Sequence, residues 1–137
     1  MQKAAFSIKN YVFDKVTIDL ENNVSKDVLI DFETEGVFHE DSSSFELTFK
    51  VIAFNEKMGA ESPFLIVRCK GFFSFQNVTA FEDIPDFFYR NCIAILFPYV
   101  RAYASMITTQ ANAPGVILPT LNLVSLESEL RNKTIKK

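Results

Sequence analysis

Apolar and polar positions alternate with period two along the first half of the chain and with a longer period along the second, predicting strands followed by helices. Phe6, Ile8, Val12, Val16, Ile18 and Leu20 share one parity against Ser7, Lys9, Lys15, Thr17 and Asp19 on the other. That describes a half-buried strand bent around residues 10–14. Val28, Ile30 and Phe32 alternate with Asp27, Asp31 and Glu33 in a second strand that ends near Gly36, and the polar run from His39 to Ser44 reads as a turn. A third strand carries Phe45, Leu47, Phe49, Val51 and Ala53 on one face and Glu46, Thr48 and Lys50 on the other. Residues 64–75 are apolar on both parities apart from Arg68, Lys70 and Ser74, as in a strand covered on both faces. The connections are too short for parallel crossovers, so the sheet is read as an antiparallel meander or Greek key.

Beyond residue 80 a helical start is placed at Pro85. Pro98 lacks an N–H and clashes with the preceding turn, so the expectation is a short helix before it and a longer one from Pro98 to about Gln110, ended by residues 111–115. Residues 116–119 form an apolar loop, unusual for a connection that would ordinarily lie on the surface. Ser125 is placed as the cap of a last helix, with Glu127 and Glu129 in its first turn, Arg131 and Lys133 later, and Leu123, Leu126 and Leu130 as its apolar stripe.

Composition narrows the function. The 137 residues make one domain, residues 1–137, able to bury a core without disulfides or structural metal. Fourteen basic against 17 acidic residues give a net charge of −3, which leaves no electrostatic footprint for nucleic acid. Fifteen Phe and four Tyr are more aromatic surface than one small core is expected to hide, so the surplus should face a partner subunit or a ligand. The first ten residues lack the apolar run of a secretory signal. No stretch is read as approaching the roughly 18 apolar residues of a membrane span, so membrane insertion is not expected. Cys69 and Cys92 stand alone in apolar runs, which fits a reducing cytoplasm better than a disulfide framework.

Catalytic and metal chemistry have few candidates. His39 is the only histidine, and with Glu40 and Asp41 it forms three consecutive residues that cannot converge on one ion; it reads as a solvated turn histidine. Cys92 would need that distant histidine as its base, so it reads as a buried structural thiol. No zinc-protease, nucleophile-elbow or phosphate-cradling pattern is present in the sequence. The expectation is a protein without cofactor or catalytic residues.

One stretch is distinctive. Cys92-Ile93-Ala94-Ile95-Leu96-Phe97-Pro98-Tyr99-Val100-Arg101, then Ser105-Met106, then Leu118-Pro119-Thr120-Leu121-Asn122-Leu123, resembles the SecB family of protein-export chaperones. That family carries C-x-x-I-L-F-P-Y-A-R, a following S-M in the same helix, and a P-x-L-N-L exit. This chain departs within the first motif's Ile95–Arg101 part only at Val100. Phe6-Ser7-Ile8, Val28 through Thr34, and Gly71-Phe72-Phe73-Ser74 look like the family's first, second and fourth strands in order.

The resemblance covers about residues 6–130 and implies an α+β fold: a four-stranded antiparallel sheet followed by helices packed on one face. It also implies a cytoplasmic homotetramer, a dimer of dimers, that holds unfolded polypeptides or preproteins in long apolar grooves for delivery to the translocase motor. Carried over by position, the polypeptide-binding groove takes Val24, Val28, Ile30 and Phe32 on the second strand, Phe64 and Ile66 at the fourth, and Ile117, Leu118, Leu126 and Leu130 at the lid. Core packing is an equal reading for Val28, Ile30 and Phe32. For Tyr99, Tyr103, Met106 and Ile107 the resemblance implies an oligomer interface, and a helix–sheet core is the alternative.

The family's acidic outer sheet face and acidic tail, used to engage the motor, are only partly matched: one such position is Lys15, though Asp19 remains acidic at another, no acid lies between Phe64 and Lys70, and the chain ends Lys133-Thr134-Ile135-Lys136-Lys137. A chaperone dedicated to one partner, such as an antitoxin, is therefore the alternative function. A small hydrophobic-ligand carrier is a third.

Overall fold

The computed structural model describes residues 6–137. Four long strands, β1 (Phe6–Ile18), β2 (Val28–His39), β3 (Ser44–Asn55) and β4 (Leu65–Phe75), are followed by helices α1 (Asp86–Gln110) and α2 (Leu123–Asn132) and a short strand β5 (Thr134–Lys136). The sheet order is β1-β4-β3-β2-β5. β2, β3 and β4 form an antiparallel meander and β1 returns beside β4, a Greek-key order. The fifth strand departs from the expected four. It runs parallel to β2, opposite Gly36–Phe38. Its three residues are too few for a periodic signal, and it is held by Thr134, buried with its hydroxyl donating to the Leu130 carbonyl at 2.6 Å.

Alternation in β3 and β4 sends Phe45, Leu47, Phe49, Val51, Val67, Cys69 and Phe73 to one fully buried face. β1 is less regular than its sequence suggests. Its register against β4 shifts between Ile8 and Asn10 and again between Phe13 and Lys15. Each bulge reverses the parity. Tyr11 and Phe13 thereby join Phe6, Ile8 and Ile18 on the helix side, stacking on Tyr99 and Tyr103 at centroid distances of 4.4 and 4.0 Å. Val12, expected inside, instead lies opposite Lys70 on the outer face and is exposed.

β2 does not stop at Gly36 but continues to His39, which pairs with Ser44, so the histidine ends a strand rather than sitting in the turn. Gly36 is needed for space: a Cβ there would lie 2.3 Å from Cζ of Phe45.

α1 crosses the buried face as one helix, with Pro98 inside it, where two helices were expected. Cys92, Ile93, Leu96, Val100 and Ala104 continue one buried stripe through the proline. Losing one hydrogen bond and accommodating the ring costs ~3 kcal/mol. Burying the residues on both sides, at about 1.5–3 kcal/mol each, outweighs it. The helix ends in a Schellman arrangement: Asn112, at φ 62°, donates to Thr109 and Ala113 donates to Thr108.

By length and composition α1 could also cross a membrane, with mean hydropathy of 1.3 over 18 residues, correcting the expectation that no segment qualifies. Its buried stripe on the sheet is that of a core helix. α2 starts one turn earlier than expected, at an Asn122 cap whose side chain accepts from the Ser125 amide. It docks on α1 through Arg131, which stacks 4.5 Å over the Tyr89 ring and pairs with Asp86, and through Glu127, which pairs with Arg90.

Cys69 and Cys92 are both free and buried. Burial pushes the Cys69 thiol up to about 12 and raises that of Cys92 further. Both should therefore be inert to Ellman's reagent at pH 8 while the protein is folded and react together once guanidinium unfolds it. A thiol that titrates in the native state would contradict this packing.

Candidate polypeptide-binding groove

The apolar connection between α1 and α2 forms a strap across the helix side of the sheet. It is pinned at one point: the Thr108 hydroxyl, itself donating to the Ala104 carbonyl at 2.8 Å, accepts the Val116 N–H at 2.9 Å. Alternation then turns Val116 and Leu118 inward and leaves Ile117 outward, 80% exposed. Thr108→Val should lower stability by about 1–3 kcal/mol, because the buried Val116 N–H loses its acceptor. Thr108→Ser should not. Amide exchange at Val116 reads the difference, and equal protection in both variants would contradict the role given to the hydroxyl.

Cavities flank the strap on both sides. Toward the sheet, one of 370 Å³ lies between Val28 and Ile30 of β2, Phe64 before β4, the entry segment Asn23, Ser25 and Lys26, and Pro114 to Ile117 of the strap. Toward α1, a cavity of 320 Å³ is lined by Pro98, Arg101, Ala102, Ser105, Val116 and Ile117. Further along, Ala94, Phe97, Arg101, Leu118 and Leu121 line one of 280 Å³. Ile117 is shared by the first two and Arg101 by the last two, so the cavities form a chain around the strap.

Asn55 sets the near wall. It is fully buried, its Oδ1 accepts the amides of Val24 and Ser25, and its Nδ2 donates to Asn23 Oδ1 and the Ser25 carbonyl. The entry segment to β2 is thus fixed at the groove rim.

Of the residues named from the sequence, Val28, Ile30, Phe64 and Ile117 meet in one cavity. Val24 is exposed beside it, between lining residues Asn23 and Ser25. Phe32 lies further along β2, half-buried and edge-on to Phe49 and Phe97 at 5.8 and 6.0 Å. Leu118 lines the cavity beyond the strap while almost fully buried. Leu126 and Leu130 are core residues that seat α2 on β2 and α1. Ile66 does not join the groove. It pairs with Ile52 and Thr17 and, by strand parity, lies on the opposite sheet face from Leu65 and Val67.

Several lining residues were not anticipated. Pro114, Gly115, Ser25 and Lys26 carry no apolar pattern to signal them. Phe97, Pro98 and Arg101 belong to the recognisable motif, which was the available clue; Phe97 also packs toward the sheet, 6.2 Å from the Phe49 ring.

A second apolar surface lies on the other flank of α1. Ile95, Tyr99 and Met106 recur at helical spacing and are exposed, Met106 by 51%, beside the Tyr11 ring of β1. Tyr103 and Ile107 are partly buried against the core. The outer sheet face is charged and mixed: Arg68 pairs with Asp14 at 2.9 and 3.0 Å, and Lys70 lies between Asp14 and Glu46. The Arg68 guanidinium holds the Asp14 carboxyl below the usual carboxylate range.

The sequence matches the family described as preprotein translocase subunit SecB over residues 6–133. An uncharacterized protein of Methanocaldococcus jannaschii is 33% identical over 134 residues, covering 93% of this chain and 86% of that one. The solved structure of a SecB-like chaperone of Mycobacterium tuberculosis, in complex with a ChAD peptide from the HigA1 antitoxin, superposes with a TM-score of 0.65. The identity is 15%, with 86% of this chain and 91% of that one covered, so that likeness is one of fold.

Proposed function

The chain belongs to the SecB family, and we propose that it is a cytoplasmic holdase that keeps unfolded polypeptides from aggregating by lodging their apolar side chains around the strap. The observation that carries this reading is the chain of open apolar cavities divided by Ile117, an isoleucine 80% exposed. An exposed aliphatic ridge between apolar cavities has no packing role within the subunit.

The sizes favour side chains over a whole small molecule. At 280–370 Å³, the cavities lie near the low end, about 300 Å³, of ordinary ligand pockets. Three anchors at about 1.5–3 kcal/mol each give about 5–9 kcal/mol before the cost of association. That cost is itself about 4–15 kcal/mol. One groove therefore holds a client weakly, and tight retention needs several grooves on one assembly. The exposed stripe of Ile95, Tyr99 and Met106 supports such an assembly, and we place the subunit contact of a homotetramer there, with Tyr103 and Ile107 at its border. Buried free thiols fit the reducing cytoplasm. The assignment is binding without catalysis or cofactor.

A dedicated antitoxin client is a second reading, favoured by the fold likeness to a chaperone solved with an antitoxin peptide. The mixed charge of the outer sheet face gives a translocase motor less to grip than an acidic face would. The deciding experiment mixes the purified protein with slow-folding clients and follows light scattering and complex mass. Stoichiometric suppression for unrelated clients supports the general holdase. Suppression limited to one partner supports the dedicated reading, and unchanged scattering with no complex overturns both.

A further inference from the structure

Resting on the groove reading above, we propose that the cavities select clients by charge. They take apolar segments that carry a carboxylate beside their anchors and turn away segments that carry cations, with Arg101 as the selecting residue.

Arg101 is the only charged residue from Asn91 to Leu126, a span that supplies most of α1, the whole strap and the start of α2. It stands where two cavities meet, beside Pro98 and Ile117 in one and beside Phe97 and Leu118 in the other. The third cavity has Lys26 in its lining. Among the described residues, no Asp or Glu lines any of the three. Asp27 follows Lys26 in sequence but is not part of the cavity wall. The other three arginines, Arg68, Arg90 and Arg131, each pair with a carboxylate of this chain. Among the described residues, Arg101 has no such partner.

This local charge runs against that of the whole protein. A net charge of −3 would draw a basic client, whereas the groove presents positive charge alone. A guanidinium offers five N–H donors and no acceptor. Set against apolar walls, it gains most from a carboxylate once the client has displaced water, because the pair is then less screened. A client ammonium at the same place meets a like charge and gives up hydration without a carboxylate in return. The favoured client is thus an unfolded segment of apolar residues interrupted by Asp or Glu.

The test uses three short fluorescein-labelled peptides of Leu, Phe and Ser that differ only in carrying Glu, Gln or Lys at two positions. At low salt the Glu peptide should bind roughly tenfold tighter than the Lys peptide by anisotropy, and the ratio should shrink as salt is raised. Arg101 is exposed, so its variants should fold. Arg101→Gln should bring the ratio to about one or below, and Arg101→Lys should keep most of it. Lys15→Gln removes the same charge from the outer sheet face, opposite Arg68, and should leave the ratio as it is. If the peptides bind but the Lys version matches or exceeds the Glu version, or if Arg101→Gln keeps the preference, charge selection is overturned and the groove reading stands. If none of the three binds, both fall.

Discussion

Phe88→Ala is expected to destabilise the fold by about 3–5 kcal/mol, the range for removing a buried aromatic ring. Phe88 is fully buried at the start of α1, with the rings of Phe6, Phe45, Phe73 and Phe75 around it at 4.7 to 5.6 Å. Those rings come from β1, β3 and β4, so no single neighbour can move to fill the space. At this chain length the melting temperature should fall by about 10–20 °C. Urea denaturation at fixed protein concentration checks it, since assembly makes apparent stability depend on concentration. A loss below about 1 kcal/mol would mean that the ring cluster is not the centre of the core.

Ile117→Asp should weaken client binding roughly 10- to 100-fold, the effect of losing one anchor of about 1.5–3 kcal/mol. The melting temperature should hardly move, because a side chain 80% exposed has little packing to lose. Ile135→Asp is the matched control. Ile135 is 54% exposed on β5, at a position paired with Val37, away from every cavity described. Fluorescence anisotropy with an unfolded client, alongside the assembly's mass, separates the groove from a general effect of surface charge. Equal losses in the two variants would remove Ile117 from the binding surface.

The two substitutions differ in what the sequence could say about them. Phe88 and Ile117 are both large apolar residues in apolar surroundings, yet one is sealed and the other is the most exposed isoleucine of the chain. Strand alternation named the inner face of β3 correctly, because a half-buried strand shows period two whatever its neighbours. The same reading misplaced Val12, since a bulge reverses parity without leaving a mark in the local pattern. Pro98 was read as a helix break because its local cost is visible in sequence, whereas the buried stripe that offsets it involves contacts with distant strands.

The groove was partly legible. Val28, Ile30, Phe64 and Ile117 were named together by their resemblance to family positions, and the structure does bring them into one cavity. Ile66 was misassigned because residues 64–75 are apolar on both parities, so pattern alone could not tell which face looks at the helices. Leu126 and Leu130 were placed on a lid by the same positional transfer, but α2 needs them to seat itself.

By itself the sequence determined the order of the four long strands before the helices, the family motif, the absence of a nucleic-acid footprint and the presence of an apolar connection before the last helix. These depend on spacing and composition, which are local properties. Tertiary structure decided which apolar residues stay uncovered: the Thr108 hydroxyl pins Val116 and so turns Ile117 outward, and β5 covers one end of β2 while leaving the other bare. Exposure is set by what else in the chain comes to lie on a residue. That depends on partners tens of positions away, which no local pattern records.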